Sequence, residues 1–332
     1  MFAQYSNRRE FLKSGGLSLI LLLNSCSNVS KKVNIALQNS FLPDSFKDII
    51  PFAWKQKKIN FGSNNLEKNR NIILDSDFTL INDGWISTIN FSQFNEINES
   101  YFLEILDRRS KDFLNSFEVN QRNKLFPIGL VPYAIIIKNN KDLVSSARKS
   151  WNFLLSRKLT KKIIFPESPR VLISIAEKIN SSDALAKLKS QAMLFDDQNI
   201  LNWLINSEAC VAIVPYSLCS KYLKIDPRLS IVFPKQGVPL IWYFVLSRSN
   251  LSSEILIDWI KSLESKSTVD KLSSEGWYIP FNTNYIQSKY KAEMHHNSGP
   301  SKLCWDNSWS FPQLTNAQKI KFENYWNNLL IP

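Results

Sequence analysis

The sequence predicts an α/β protein built on largely parallel sheets with helices on both faces. Three observations carry that prediction. Residues 133–137 (Tyr-Ala-Ile-Ile-Ile) and 211–214 (Val-Ala-Ile-Val) are β-branched runs of strand length, the second closed by Pro215. Leu172, Ile175, Ala176 and Ile179 recur at i, i+3, i+4 and i+7, one buried face of a helix. Runs of the first kind alternate with stripes of the second along most of the chain, the order that produces parallel sheets.

Taken in order, Val33, Ile35 and Leu37 alternate as a strand does. Phe41-Leu42-Pro43-Asp44 then forms a turn, and Asp44 or Ser45 can cap the helix that follows, which Pro51 should kink. Residues 60–71 are rich in Asn, Lys and Glu and read as a solvated connection. The apolar runs 72–74 and 78–81 flank Asp75-Ser76-Asp77, and at least the second is a strand, ending at Asn82-Asp83-Gly84-Trp85. Residues 101–117 carry helical spacing, as do 151–155. A strand over 162–165 runs into Pro166-Glu167-Ser168-Pro169, where Ser168 as N-cap and Pro169 as first helical residue make a helix start. Helical spacing continues over 185–195. Residues 231–233, stopped by Pro234, and 241–246 are strands, and Leu256, Trp259, Ile260 and Leu263 make another helical stripe. Phe322, Tyr325, Trp326 and Leu329 predict a last helix over 315–330.

The first 25 residues have a different character. Asn7-Arg8-Arg9-Glu10-Phe11-Leu12-Lys13 precedes an apolar run over 17–23, and Leu23-Asn24-Ser25-Cys26 places a small residue before a cysteine. A charged start, a short apolar stretch and a cleavage site are the layout of a secretory signal. The run is shorter than the ~20 residues that span a bilayer. These residues resemble a twin-arginine signal joined to a bacterial lipobox, although Asn7 and Asn24 depart from the usual residues. The expectation is a signal peptide over 1–25, acylation of Cys26, a short linker over 26–32, and a periplasmic domain tethered to the membrane.

The chain has 332 residues and a formal net charge of +12. Its lysines are scattered in short clusters such as Lys57-Lys58 and Lys161-Lys162. In an exported protein this reads as a basic surface facing anionic headgroups, with no nucleic-acid partner. If Cys26 carries lipid, Cys210, Cys219 and Cys304 leave at least one thiol unpaired. An oxidising compartment permits a Cys210–Cys219 bridge, but Cys210 opens an apolar run and reads as a small buried hydrophobe. The only histidines, His295 and His296, adjoin Asn297-Ser298-Gly299-Pro300 and read as surface loop residues. One such cluster is a poor base for a triad and a poor zinc site, and no dinucleotide, phosphate-loop or nucleophile-elbow motif occurs. The expectation is a binding protein with no cofactor, no metal and no catalytic residues.

Ligands of open α/β sheets sit beyond the carboxyl ends of strands. Residues 38–41, 82–85, 166–170 and 215–218 are the loops in question. Asp83 and Trp85 pair a carboxylate with an aromatic face; Glu167 is the carboxylate of the second group, with Arg170 beside it as a surface residue or an anion contact. Tyr216 follows a strand end, and Trp242 is a candidate pocket wall. Tyr243 should point to the opposite face.

The order of these pieces resembles the periplasmic solute-binding proteins of ABC import systems, specifically the spermidine/putrescine-binding branch. Phe41-Leu42-Pro43 follows the first strand; Ser150-Trp151-Asn152-Phe153-Leu154 is similar to a Ser-Trp-x-x-Leu motif. Phe233-Pro234-Lys235-Gln236-Gly237 resembles Trp-Pro-Lys-Glu-Gly, with Trp242 on the following tryptophan, and Gly276-Trp277-Tyr278-Ile279-Pro280-Phe281-Asn282 resembles Gly-Tyr-x-x-Pro-Asn. The resemblance implies a two-lobed fold (type II) that captures a putrescine- or spermidine-like solute by hinge closure and delivers it to an inner-membrane permease. It implies lobe one over 33–130 and 246–300, lobe two over 131–245, and a C-terminal segment over 301–332 packing on lobe two. The family's amine-holding carboxylates fall at Ser168, Val171 and Phe244, and Pro215 replaces a pocket aromatic. Charge for an amine must then come from Asp83, Glu167 or the Asp196/Asp197 pair. The competing expectations are a binding protein for another solute, and an exported structural or assembly lipoprotein that kept the fold without a ligand.

Overall fold

The structure, a computed structural model, describes residues 32–38, 42–60, 66–97, 100–222, 225–248, 253–295, 299–311, 313–314, and 317, 318, 320, 322, 324 and 326. The signal, Cys26, His296 and residues 39–41 of the first loop lie outside them. Among the described residues ten strands form one sheet: β1 (Asn34–Gln38), β2 (Lys55–Ile59), β3 (Phe78–Asn82), β4 (Phe126–Lys138), β5 (Ile163–Phe165), β6 (Ala192–Phe195), β7 (Val211–Pro215), β8 (Leu229–Val232), β9 (Pro239–Ser247) and β10 (Trp309–Ser310). They run in the order β2-β1-β3-β9-β4-β7-β5-β6, with β10 beside β9 and β8 beside β4. Pairings among β2, β1 and β3 and among β7, β5 and β6 are parallel. The antiparallel pairings all involve β4 or β9.

β4 joins the two parallel sets. Phe126 to Pro132 pair with β9, and from Tyr133 onward the same strand pairs with β7 and β8. The run at 133–137 is therefore only the second part of a 13-residue strand. Its start is hidden in the sequence by two prolines, which cannot donate to a ladder. Pro127 sits at a register shift, and Pro132 is the last residue paired to β9 before the partner changes.

Aromatic packing fills the first half. Trp242 of β9 is fully buried, stacks on Phe113 at 5.0 Å, and donates its indole N–H to Ser310 Oγ at 2.7 Å. Its neighbour Tyr243 meets Trp277 at 4.5 Å. Trp277 lies across Gly129, where a Cβ would fall inside its ring. In the second half, the helix Pro169–Lys178 buries Leu172, Ile175 and Ala176 as expected. Ser168 is its N-cap, without a side-chain cap bond.

Several elements differ from expectation. Lys55–Ile59, read as part of no strand, pairs along the edge of the sheet; four of its five residues are Lys or Gln and only Ile59 is buried. Charged edges deter further pairing, and they remove the apolar alternation that marks a strand. The helix expected across Pro51 is a 3-10 turn, Asp44–Ile49, that stops before it. Helix Leu66–Leu74 takes in part of the supposed connection and all of 72–74. The helix Ala184–Gln191 ends before β6, so 192–195 is strand rather than helix. His295 closes the helix Asn284–His295 rather than lying in a loop. Residues 317, 318, 320, 322, 324 and 326 are helical, and the Trp326 ring meets Phe195 at 5.8 Å. Cys210, Cys219 and Cys304 are free thiols, without the bridge that compartment chemistry permits.

Candidate functional site

β1, β3, β5 and β7 end at Gln38, Asn82, Phe165 and Pro215, near the point where β4 changes partner. Register places Asn82 opposite Tyr243 and Pro215 opposite Tyr133. Four strand ends from both parallel sets thus converge where chain segments cross, the position at which such sheets take ligands.

A chain of buried polar groups occupies that place. Asn82 donates its backbone N–H to Gln38 Oε1 at 2.8 Å and accepts from Gly84 N–H at 3.0 Å. Its side chain also bonds the Tyr243 hydroxyl. Asp83 continues the ladder: its N–H donates to Trp242 O at 2.8 Å, and its Oδ1 accepts from Trp242 N–H at 3.3 Å. The same oxygen lies 3.1 Å from Arg170 Nη2. Burial pushes the Asp83 carboxyl above the usual carboxylate range, because desolvation outweighs the attraction of Arg170. Among the described residues Asp83 Oδ2 finds no hydrogen-bond partner.

Arg170 reaches this carboxylate from the first turn of helix Pro169–Lys178, where the helix dipole disfavours a cation. Asp83 offsets that cost. The guanidinium also lies over the Phe311 ring at 4.2 Å, and Gly84 leaves it room, since a Cβ there would come within 3.2 Å of Nη2. The contact crosses the sheet. From β3 to β5 is four strand steps, or ~19 Å in a flat sheet at ~4.8 Å per step. Arg170 lies five residues beyond β5, so the loop and its side chain bring the two parallel sets together across the curled sheet. Asp44, after β1, and Lys221, after β7, are also four steps apart and meet at 2.7 Å. Beside this second pair is a cavity of about 460 Å³ bordered by Pro43, Asn199, Asn202, Ser217 and Glu275.

Tyr133 is buried, and its hydroxyl feels Asp197, Arg170 and Asp83. Asp197 accepts from Glu167 N–H at 3.2 Å. Burial, with the charges of Glu167 and Asp196 nearby, pushes the Asp197 carboxyl up to about 6. Asp196 instead accepts from the N–H groups of Gln198 and Asn199 and from the Trp203 indole, a local turn role.

Solved structures of other proteins share this arrangement. A spermidine/putrescine ABC transporter protein of Listeria monocytogenes superposes with a TM-score of 0.61 at 16% identity, over 91% of this chain and 99% of its own. The fold is that of the two-lobed periplasmic binding proteins. The TpPotD lipoprotein of Treponema pallidum gives a TM-score of 0.63 at 13% identity, over 90% of this chain and 99% of its own. A ferric binding protein of Campylobacter jejuni gives 0.58 at 13% identity, over 90% and 99%. No family profile and no curated protein sequence matches the chain.

Within this binding-protein fold the sequence candidates separate. Asp83 and Arg170 come into direct contact, so the arginine, expected as a surface residue or an anion contact, pairs with a buried carboxylate of the chain itself. Glu167 is exposed beside Asp197, and Trp85 is half-buried in the turn after Asp83. Trp242, expected as a pocket wall, is core, because its strand face is covered by Phe113. Tyr216 is buried edge-on against Phe233 at 5.2 Å, and Gly276, at φ +81°, packs on its ring. Val171 and Phe244 are buried apolar side chains. Gln38 and Asn82 fell inside the candidate loops without being singled out, and Tyr133 and Phe311 were not named as site residues. Gln38 and Asn82 carried a signal as strand-end polar residues; Tyr133 was hidden inside a strand, and nothing marked Phe311.

Proposed function

We propose that this protein is the solute-binding component of an ABC import system, closing two lobes on a small solute. The observation that carries the reading is the convergence of strand ends from both parallel sets on the Asn82–Asp83–Arg170 cluster at the β4 and β9 crossing. Lobe one is built on 33–130 and 246–300, but lobe two, expected over 131–245, ends near 232, because β9 pairs with β3. Of the C-terminal segment expected on lobe two, residues 301–311 pack on Arg109, Tyr278 and Trp242, and Trp326 meets Phe195 of lobe two. A polyamine-like cation is the solute class that Asp83, Asp197 and Glu167 favour, since these carboxylates outnumber Arg170. The protein acts in the periplasm, held to the membrane through Cys26, and hands its solute to a permease.

The test is a thermal-shift screen of putrescine, spermidine, amino acids, sugars and dicarboxylates, followed by small-angle scattering. A bound solute raises the melting temperature as its concentration passes Kd and reduces the radius of gyration. A screen with no stabilising solute and no compaction overturns the reading in favour of an exported protein that keeps the fold without a ligand. The Asp83–Arg170 contact, which already joins the two sides of the crossing, is the observation in favour of that second reading.

A further inference from the structure

Among the described residues Asp83 is the only charged residue that is fully buried, at 2% exposure. Its counter-charge is peculiar. The Arg170 guanidinium touches a buried carboxylate on one side and an aromatic face, Phe311, on another, with the hydroxyl of Tyr133 within electrostatic range. A buried carboxylate with an aromatic face is the environment that an ammonium or guanidinium solute requires. Arg170 itself keeps 25% of its side chain exposed and enters from the opposite side of the crossing. Asp83 Oδ2, buried and without a partner among the described residues, is an acceptor that Arg170 leaves unused.

Resting on the solute-binding reading, we infer that Arg170 is a tethered competitor: its guanidinium occupies a cation subsite built by Asp83 and Phe311, and a cationic solute binds by displacing it. The competition is a matter of populations. If Asp83 is held by Arg170 for all but a fraction of the time, the apparent dissociation constant of a solute cation is raised by the inverse of that fraction. Displacement costs little at Arg170's end, because its partly exposed side chain can swing into water. It costs a great deal at Asp83's end unless a second cation arrives, because Asp83 has no exposed surface to fall back on. A solute without a positive group therefore cannot separate the pair, and a solute with one can. Arg170 thereby sets a threshold of affinity and selects for solutes whose cation pairs with a carboxylate better than an intramolecular arginine does.

The experiment is calorimetric titration of agmatine, whose guanidinium copies that of Arg170, and of putrescine, into wild type, Arg170→Gln, Arg170→Lys and Asp83→Asn/Arg170→Gln. The last variant keeps the site neutral and leaves no lone buried charge. Agmatine should bind Arg170→Gln at least tenfold more tightly than wild type, Arg170→Lys should fall between them, and the double variant should lose the gain. Equal affinity in wild type and Arg170→Gln, or a gain kept by the double variant, overturns the inference. If a sugar or dicarboxylate binds and compacts wild type while neither amine gives heat in any variant, the inference fails and the solute-binding reading stands. If no solute binds any variant, both fail.

Discussion

Replacing Arg170 by Gln should destabilise the protein in a way that depends steeply on pH. The substitution removes the counter-charge of a carboxylate whose side chain has no exposed surface. Breaking a buried pair from one side costs about 3–5 kcal/mol. The carboxyl can limit that cost by taking up a proton. Holding an aspartate protonated at pH 7, against an unfolded value near 4, costs about 4 kcal/mol at 1.36 kcal/mol per pH unit. At pH 5 the same limit is about 1.5 kcal/mol. Asp83's folded carboxyl is already raised by burial, and losing Arg170 raises it further. The penalty is absent below the unfolded value and grows as pH rises toward the folded one. The expected loss is about 3 kcal/mol at pH 7 and no more than about 1.5 kcal/mol at pH 5. Asp83→Asn should cost less at pH 7, because the stranded arginine is partly solvated and rests on Phe311. The double variant should be closer to wild type than Arg170→Gln is. Urea unfolding followed by tryptophan fluorescence at both pH values measures all of these. A loss that is the same at pH 7 and pH 5, or Asp83→Asn the worse of the two single variants, would refute the reasoning.

Other perturbations separate packing from binding. Gly129→Val should prevent soluble folding or cost more than about 3 kcal/mol, since its side chain would enter the Trp277 ring; soluble yield and a melting curve check this. Trp242→Phe should lose about 2–3 kcal/mol through the Ser310 hydrogen bond and the gap left against Phe113, while solute affinity changes less than twofold. Asp197, with its carboxyl at about 6, destabilises the fold increasingly as pH rises from 4 through 6. Asp197→Asn should therefore gain about 1–2 kcal/mol above pH 6 and nothing at pH 4, as read from denaturation at both values. Lys221→Ala breaks an exposed pair with Asp44 and should change stability by less than about 1 kcal/mol in the same assay.

What could be read from the sequence followed burial. β3, β7 and the helix Pro169–Lys178 each present a continuous apolar run or stripe, so type and position were both legible. β2 was not, because an edge strand of lysines has no alternating face to show. The start of β4 was masked by prolines that the fold tolerates at a register shift and at a change of partner. At the site, Asp83 and Arg170 could be named individually because each follows a strand end. Their meeting could not, since it depends on the curl of the sheet and not on any local pattern. Trp242 failed for the opposite reason: a tryptophan in a strand looks the same whether its face meets solvent, solute or Phe113.

The place of β9 in the sheet has a consequence for how the chain reaches its folded state. β3 lies between β1 and β9, and all five of its residues are buried. Until Pro239–Ser247 has been made, Phe78–Asn82 has one unpaired edge and no complete cover. Residues 133–232 are different: β4 from Tyr133, β5, β6, β7 and β8 pair among themselves and are contiguous in sequence. A nascent chain can close that second group while the first still waits for a strand made much later, and pairing across so long a separation is slow. During that interval the open edge of β3 is the segment most exposed to pairing with another chain. A chain truncated before Pro239 should aggregate through it, whereas one ending after Ser247 has the partner it needs.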